Sequence, residues 1–345
     1  MEKDNIIDNN DIDVCDDEIT EEGAPSLSKL EIRRRNRSVR VSKAIFRTID
    51  VLFAAPQNAC PYVTKDNMGS IENIKDVVYD AEVPSVCKLD VYRIKTNEPQ
   101  PAVILIHGGG FAAGQKKYRR GQSQYFALNG FTVFCVDYGL APAYSFPSPL
   151  IHLVKAANYA HNNAQLFNID KDRIFVAGDS AGGYYAAMLA AFNGNDKFEK
   201  SFGIKLDFDI FGALLNCGLY DMQTVFNTKY LLDIDESVLL SLTGIVRSEF
   251  ESFEYRDVCM PLDFITEKFP PSFVIYSDKD LFCKGQGNVL LEKLDGVGVY
   301  HESYAARHAT SNHCFSLTWR GEDATAANEL MMSFAKRLAN DKIKL

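Results

Sequence analysis

The sequence predicts an α/β fold, with a mostly parallel central sheet flanked by helices. Apolar, β-rich runs alternate with helical stretches between residues 102 and 192, and this alternation is typical of a parallel sheet with right-handed crossovers. Apolar residues make up 46% of the 345 residues, which is enough for a large buried core. The motifs described below spread from His107 to His313, so we expect one large domain to contain them.

The predicted elements follow one another in an order that fits this class. Two β-rich segments, 75–79 and 88–92, look like opening antiparallel strands. The alternating region comes next: strand 102–106, helix 122–128, strand 132–136, helix 150–162, strand 173–177 and helix 181–192. The later predicted elements are strands 208–215, 270–276 and 297–304, and an amphipathic helix within 321–345. In such a sheet we expect the functional site at the carboxyl ends of the strands.

The most specific signal is a sharp turn between a strand and a helix. The apolar run 173–177 ends in the sequence GDSAG at residues 178–182, and a helix of small residues follows. This is G-x-S-x-G in a strand–turn–helix context, where a strained backbone exposes the serine hydroxyl at the end of the sheet. The alternative is an ordinary turn rich in small residues. We predict that Ser180 is a nucleophile, and that a Cβ at position 178 or 182 would collide with neighbouring elements.

A second motif, HGGGF at residues 107–111, directly follows the strand 102–106. A serine nucleophile needs a base, an acid that orients the base, and donors for the oxyanion. Glycines leave the backbone free to turn N–H groups toward such an oxyanion, so we expect Gly109, Gly110 and Ala181 to donate. The alternatives are a flexible loop or a phosphate-binding loop, although neither G-x-x-x-x-G-K-[ST] nor G-x-G-x-x-G is present here.

The combination of HGGGF and GDSAGG resembles the hormone-sensitive-lipase-like branch of the α/β-hydrolase fold, the family of carboxylesterases and acetyl esterases. Between the two motifs, DYGLAP at residues 137–142 and FP at 146–147 resemble the D-Y-R-L-A-P…F-P segment of that family. Gly139 stands where the family usually has an arginine with a structural role. The resemblance covers roughly residues 70–340 and implies the α/β-hydrolase fold.

The resemblance also implies where the acid lies. The order of the catalytic residues in this fold is serine, then acid, then histidine. The family places its acid three residues after a small residue at a strand end, and Ser277 is such a residue after the strand 270–276. This selects Asp280 and leaves Asp278 as the rival. Both aspartates are alternatively caps of a surface turn.

Three histidines follow Asp280, and one of them is expected to be the base. The sequence HCF at residues 313–315 resembles the H-G-F of the family and follows the extended segment 297–304, as expected after the last strand. We therefore select His313 as the base. His308, five residues earlier, is its main competitor, whereas His301 lies inside the predicted strand and is expected to be structural.

Two segments are expected to form a helical cap over the site. Residues 216–269 contain no strong strand, have helical patterns at 225–232 and 236–250, and stand where a cap enters this fold. The basic, partly apolar segment at about 28–56 resembles the N-terminal cap helix of the family. Its alternative roles are contact with nucleic acid, with an anionic membrane surface or with the acidic tail described next. No aromatic residues alternate with its arginines, so we expect no nucleic-acid partner.

The net charge of the chain is concentrated at its N-terminus. The formal net charge is −9, and residues 1–27, with ten acidic residues and one basic residue, account for all of it. These residues include few apolar ones and show no periodicity, so we expect an acidic disordered tail before a hydrolase domain at residues 28–345. The rest of the chain is neutral, so the overall charge does not describe the site.

The sequence contains no signal for export or for metal binding. The N-terminus is acidic and no apolar segment follows it, so a secretory signal is not expected, and no run of 18 apolar residues predicts a membrane span. Eight cysteines are scattered without C-x-x-C spacing, and no zinc-binding arrangement is visible. This pattern is typical of reduced, buried cysteines and favours a cytoplasmic protein.

Together these features predict a serine carboxylic-ester hydrolase that acts on a small-molecule ester, short-chain, acetyl or carbohydrate, through an acyl-enzyme. We expect it to work without a cofactor or metal ion. The alternative is a non-catalytic protein that binds a small ligand on the same fold. The sequence specifies neither the particular ester nor the oligomeric state.

Overall fold

An eight-stranded sheet organises the part of the chain that the structure describes. The structure is a computed structural model, and it describes residues 58–228 and 234–341 together with residues 33, 37, 39–41 and 43–48. The predicted acidic tail, residues 1–27, lies outside the described residues. The strands are β1 (Ile71–Val78), β2 (Lys88–Ile94), β3 (Gln100–Ile106), β4 (Thr132–Val136), β5 (Ile169–Asp179), β6 (Gly212–Asn216), β7 (Ser272–Tyr276) and β8 (His301–Ala305).

The strand order is β1-β2-β4-β3-β5-β6-β7-β8. Strand β2 pairs antiparallel with both β1 and β4, and all the other neighbours pair parallel. The prediction of a mostly parallel sheet with an opening antiparallel hairpin is therefore confirmed. The carboxyl ends of β3, β5, β6, β7 and β8 meet at one edge of the sheet, which is where ligand sites lie in this class.

Helices cover both faces of the sheet. Strand β3 shows why: Ile104 and Ile106 belong to one apolar cluster, and Val103 and Leu105 belong to the other. Within residues 58–228 and 234–341, the α-helices are α1 (Lys65–Met68), α2 (Arg120–Leu128), α3 (Ser148–Asn162), α4 (Ala164–Phe167), α5 (Ala181–Ala190), α6 (Lys197–Phe202), α7 (Met222–Asn227), α8 (Ile234–Thr243), α9 (Gln286–Gly296) and α10 (Gly321–Ala339). Helices α3, α5 and α9 pack in the first cluster, and α2 and α10 pack in the second.

The largest differences from the predicted elements lie between residues 208 and 269. The strand predicted at 208–215 begins only at Gly212. The helix predicted at 236–250 ends at Thr243 because Gly244 follows with φ +79°, and a separate 3-10 helix covers Arg247–Ser252. The helix predicted at 225–232 begins earlier, at Met222, because the Asp221 carboxylate accepts the N–H group of Thr224 (2.6 Å) as an N-cap.

The glycine that departs from the resembled D-Y-R-L-A-P segment lies in a place without room for a side chain. A Cβ at Gly139 would lie 2.5 Å from Cγ of Tyr144 and 2.9 Å from Cε1 of His152. The N–H group of Gly139 donates to Nδ1 of His152 (3.2 Å), and the His152 and Tyr144 rings pack edge to face at 5.3 Å. These two rings fill the space beside residue 139.

Among the described residues, no helix has both the length and the apolar character that crossing a membrane requires.

Candidate active site

The turn at Ser180 joins the end of β5 to the start of α5. Ser180 adopts φ +53° and ψ −121°, a conformation that a non-glycine residue adopts only when its surroundings impose it. Its N–H group donates to the carbonyl oxygen of Asn216 at the end of β6 (2.9 Å). A Cβ at Gly178 would collide with the backbone of Gly182, and a Cβ at Gly182 would collide with the backbone of residues 106 and 107. The turn is therefore as crowded as the sequence predicted.

The structure brings Ser180, His313 and Asp280 together. Nε2 of His313 lies 2.9 Å from Oγ of Ser180. Nδ1 of His313 lies 2.9 Å from each carboxylate oxygen of Asp280. His313 stands on the loop after β8 and Asp280 on the loop after β7, so three strand ends supply the three side chains. The rival acid, Asp278, instead accepts a hydrogen bond from Asn288 in an exposed position (3.1 Å).

Asp280 lies in surroundings that keep its carboxyl group ionised. The residue is only 3% exposed, and Oδ1 accepts the N–H groups of Phe282 and Cys283, both at 2.8 Å. Burial raises the pKa of Asp280, but the charge and hydrogen bond of His313 and these two N–H groups together hold it below the ordinary aspartate value. An ionised carboxylate here fixes the orientation of the His313 ring.

The other two candidate histidines have different partners. His308 is half exposed, and its Nδ1 lies 3.0 Å from the buried carboxylate of Asp323. The N–H group of His308 donates to the same carboxylate (2.9 Å), which ties this loop to the first turn of α10. His301 is the first residue of β8, and its Nδ1 faces the carbonyl oxygen of Val299 (3.0 Å). The contacts of His308 and of His301 therefore support the local structure and do not involve Ser180 or Asp280.

The HGGGF loop follows β3 at the same edge of the sheet. Gly109 and Gly110 have φ values of +134° and +59°, which a glycine adopts without strain. The carbonyl oxygen of Gly109 accepts the N–H groups of Ala112 (3.3 Å) and Ala113 (2.9 Å), and this holds the loop in a tight turn. Within the described part of the chain, the N–H groups of Gly109, Gly110 and Ala181 have no hydrogen-bond acceptor. They are available to a ligand.

His107, the first residue of this loop, supports it from inside. Its ring is buried, stacks on Tyr138 at 4.5 Å, and has Nδ1 2.8 Å from the carbonyl oxygen of Gly108. The Tyr138 hydroxyl donates to the carbonyl oxygen of His107 (2.7 Å). Burial lowers the pKa of His107 to about 4, so the ring is neutral at physiological pH.

A buried ion pair connects the serine turn to the HGGGF loop. Nε and Nη2 of Arg119 donate to the two carboxylate oxygens of Asp179, each at 2.6 Å. The same carboxylate accepts the N–H group of Gly108 (3.2 Å), and a Cβ at Gly108 would lie 2.9 Å from Cβ of Ser180. Sequence reasoning missed Arg119. The aspartate inside GDSAG was a signal for it, because a buried carboxylate requires a partner.

Replacing Arg119 with methionine is expected to lower the free energy of unfolding by about 3–5 kcal/mol, because it leaves the Asp179 charge buried without its partner. Urea unfolding followed by circular dichroism measures the change. Arg120→Met is the matched control, since Arg120 is the next residue and is exposed. Equal destabilisation by the two variants would contradict the structural role of the Arg119–Asp179 pair.

Phe46, from the N-terminal segment, packs against the HGGGF loop. Phe46 is buried, and its ring occupies the space that a Cβ at Gly110 would take. Its ring centroid lies 5.9 Å from that of Phe282, which in turn lies 5.0 Å from the ring of His313. Phe46 therefore contacts the HGGGF loop and, through Phe282, the histidine.

Comparisons with known proteins place this chain among esterases. A model of the BD-FAE family matches residues 89–294, which is more than half of the chain. The esterase LipC of Mycobacterium tuberculosis is 26% identical over 281 residues, covering 77% of this chain and 68% of LipC. An arylesterase of Saccharolobus solfataricus is 26% identical over 246 residues, covering 71% of this chain and 72% of that enzyme.

The fold is also that of solved esterases. The crystal structure of esterase B from Lactobacillus Rhamnosis superposes with a TM-score of 0.77 at 19% identity, covering 91% of this chain and 98% of esterase B. These findings confirm the α/β-hydrolase resemblance that the two glycine motifs carried. The chain belongs to the BD-FAE family of α/β-hydrolase-fold esterases, and it is a carboxylic ester hydrolase.

Proposed function

We propose that Ser180, His313 and Asp280 form a catalytic triad that hydrolyses esters through an acyl-enzyme. The observation that carries the proposal is the continuous hydrogen-bond chain from Oγ of Ser180 through both ring nitrogens of His313 to Asp280, with every distance at 2.9 Å. In this series of hydrogen bonds, the nucleophile, the base and the acid each have the partner that the mechanism requires.

The reaction begins when Oγ of Ser180 attacks the ester carbonyl and His313 accepts the hydroxyl proton at Nε2. The carbonyl oxygen becomes an oxyanion, to which the N–H groups of Gly109, Gly110 and Ala181 donate. His313 then gives its proton to the leaving alcohol, and the acyl group stays on Ser180. Water, activated by the same histidine, attacks the acyl-enzyme and releases the acid.

The cap is proposed to consist of residues at about 28–56 and 216–269, on a hydrolase domain that spans 28–345. The position of Phe46 against Gly110 supports the N-terminal part of this proposal. Because the Phe282 ring lies beside His313 and the Phe46 ring packs against both Phe282 and Gly110, we propose short-chain or acetyl esters, including those of carbohydrates, as the substrates.

Replacing Phe46 with alanine is expected to widen the site and shift the preference toward longer acyl chains. We expect the ratio of kcat/KM for p-nitrophenyl octanoate to that for the acetate to rise about tenfold, the scale of discrimination that pocket size provides. A series of p-nitrophenyl esters measures it. Ile45→Ala is the control, because Ile45 is the exposed neighbour. An unchanged ratio in Phe46→Ala would exclude Phe46 as the residue that limits the length of the acyl chain.

The nucleophile itself is tested by covalent labelling. A fluorophosphonate probe is expected to add once to the full-length chain, at Ser180, and peptide mass spectrometry locates the adduct. Ser180→Ala is expected to stay unlabelled. A non-catalytic ligand-binding protein on this fold would show no adduct, and an adduct on another serine would reject Ser180.

A further inference from the structure

Three cysteines stand beside the proposed triad, each on a different loop. Cys217 directly follows β6, Cys283 lies three residues after Asp280, and Cys314 directly follows His313. The proposed mechanism uses none of them. Their spacing along the chain resembles no metal motif, because the fold rather than the local sequence brings them together.

The donor atoms of these residues form two overlapping groups around His313. Sγ of Cys217, Sγ of Cys314 and a ring nitrogen of His313 all lie within 4.8 Å of one another. An oxygen of Asp280, Sγ of Cys283 and a ring nitrogen of His313 satisfy the same limit. Two thiols and an imidazole are a donor set that Zn²⁺ prefers.

We propose that Cys217, Cys314 and His313 form a binding site for a thiophilic divalent cation such as Zn²⁺, and that its occupation inhibits the esterase. The binding site stands on the geometry of the three side chains alone. Its inhibitory effect rests on the proposed function, because a cation bound to His313 competes with the hydrogen bonds that this ring makes to Ser180 and Asp280.

The dimensions of the group fit such an ion. In a tetrahedral zinc site with Zn–S bonds of about 2.3 Å, two sulfur ligands lie about 3.8 Å apart, and the three donor atoms of the present group lie within 4.8 Å of one another. Cys217 is only 3% exposed, whereas His313 is partly exposed. A cation would therefore approach from the side of His313, with Cys217 behind it.

The local charge also favours a cation. The ionised Asp280 carboxylate acts on Cys217, Cys283 and Cys314, and it leaves a negative charge beside the group. A bound cation supplies the positive charge that a buried thiolate needs, and each coordinating thiol releases its proton to solvent.

Cobalt absorption tests the binding directly. Full-length protein, freed of metal with EDTA and kept in a phosphine reductant, is titrated with Co²⁺. We expect a thiolate-to-cobalt charge-transfer band and the visible bands of tetrahedral coordination, with binding at least tenfold weaker in Cys217→Ser and in Cys314→Ser. Two controls are expected to bind as the unmodified chain does: Cys60→Ser, a buried cysteine in the cluster on the other face, and Cys15→Ser, within the acidic segment.

Inhibition by Zn²⁺ tests the consequence, with each variant compared with its own metal-free activity. We expect the inhibitory concentration to rise at least tenfold in Cys217→Ser and Cys314→Ser and to stay unchanged in the controls. The absence of a charge-transfer band, or equal binding by all the variants, would overturn the site. Ser180→Ala retains the three proposed ligands and is expected to bind Co²⁺, so a failure of the triad proposal would leave this binding result intact.

Discussion

Replacing Ser180 with alanine is expected to lower kcat for p-nitrophenyl acetate about 10⁴-fold or more. The variant keeps the N–H donors and the base but has no atom that can form the acyl-enzyme. We expect the fold to survive, because an alanine Cβ occupies the position of the serine Cβ and the helix-side contacts are backbone contacts. Steady-state kinetics measure kcat, and a thermal melt of the same sample measures the stability of the fold.

The matched control is Ser70→Ala, at an exposed serine after α1, which is expected to keep full activity. Turnover by Ser180→Ala within a few fold of the unmodified enzyme would reject the nucleophile. A large loss of melting temperature in Ser180→Ala would mean that the lost activity reports unfolding rather than chemistry, so the kinetic result is interpreted only at equal stability.

Replacing His313 with alanine is expected to lower kcat by about 10³-fold or more, since the proton of Ser180 then has no acceptor. His308→Ala is the matched comparison on the same loop. Because the His308–Asp323 contact is half exposed, we expect this variant to lose about 1 kcal/mol of stability or less and to keep kcat within a few fold.

The two histidine variants are distinguished by kinetics and by urea unfolding carried out on each. The reverse pattern, with His308→Ala inactive and His313→Ala active, would exchange the roles of the two residues. Asp280→Asn provides an independent test, because it keeps the shape of the acid but not the charge that orients His313, and it is expected to lower kcat without abolishing Ser180 labelling.

Much of the fold was predictable because strand-forming runs in this chain are short, apolar and bounded by glycine or proline. Strand β4 was predicted at its observed bounds, and β3, β5 and β7 were predicted within a few residues. The end of α8 was not predicted correctly, because the helical pattern of the sequence continues beyond Gly244. The conformation of that glycine interrupts the helix.

The site was predictable to the extent that its parts lie next to a motif. Ser180 and Gly109 stand inside such patterns, and the family resemblance, through its spacing and its order of acid and base, led to Asp280 and His313 as candidates. Arg119 and Phe46 stand in no such motif. The sequence indicated that Asp179 needs a partner and that the segment around Phe46 covers the site, but it did not single out these two residues. The thiols beside His313 could not be predicted either. They come together only in the folded chain, and their spacing along the sequence follows no motif.

The packing around Gly139 has an evolutionary consequence. A long side chain at this position would meet the rings of Tyr144 and His152, so exchanging the glycine for the arginine usual in the resembled family is expected to destabilise the protein unless both neighbours change as well. Exchanging the glycine for the arginine in single steps therefore passes through variants of lower stability. A lineage that has taken the glycine is therefore expected to keep it unless Tyr144 and His152 change with it.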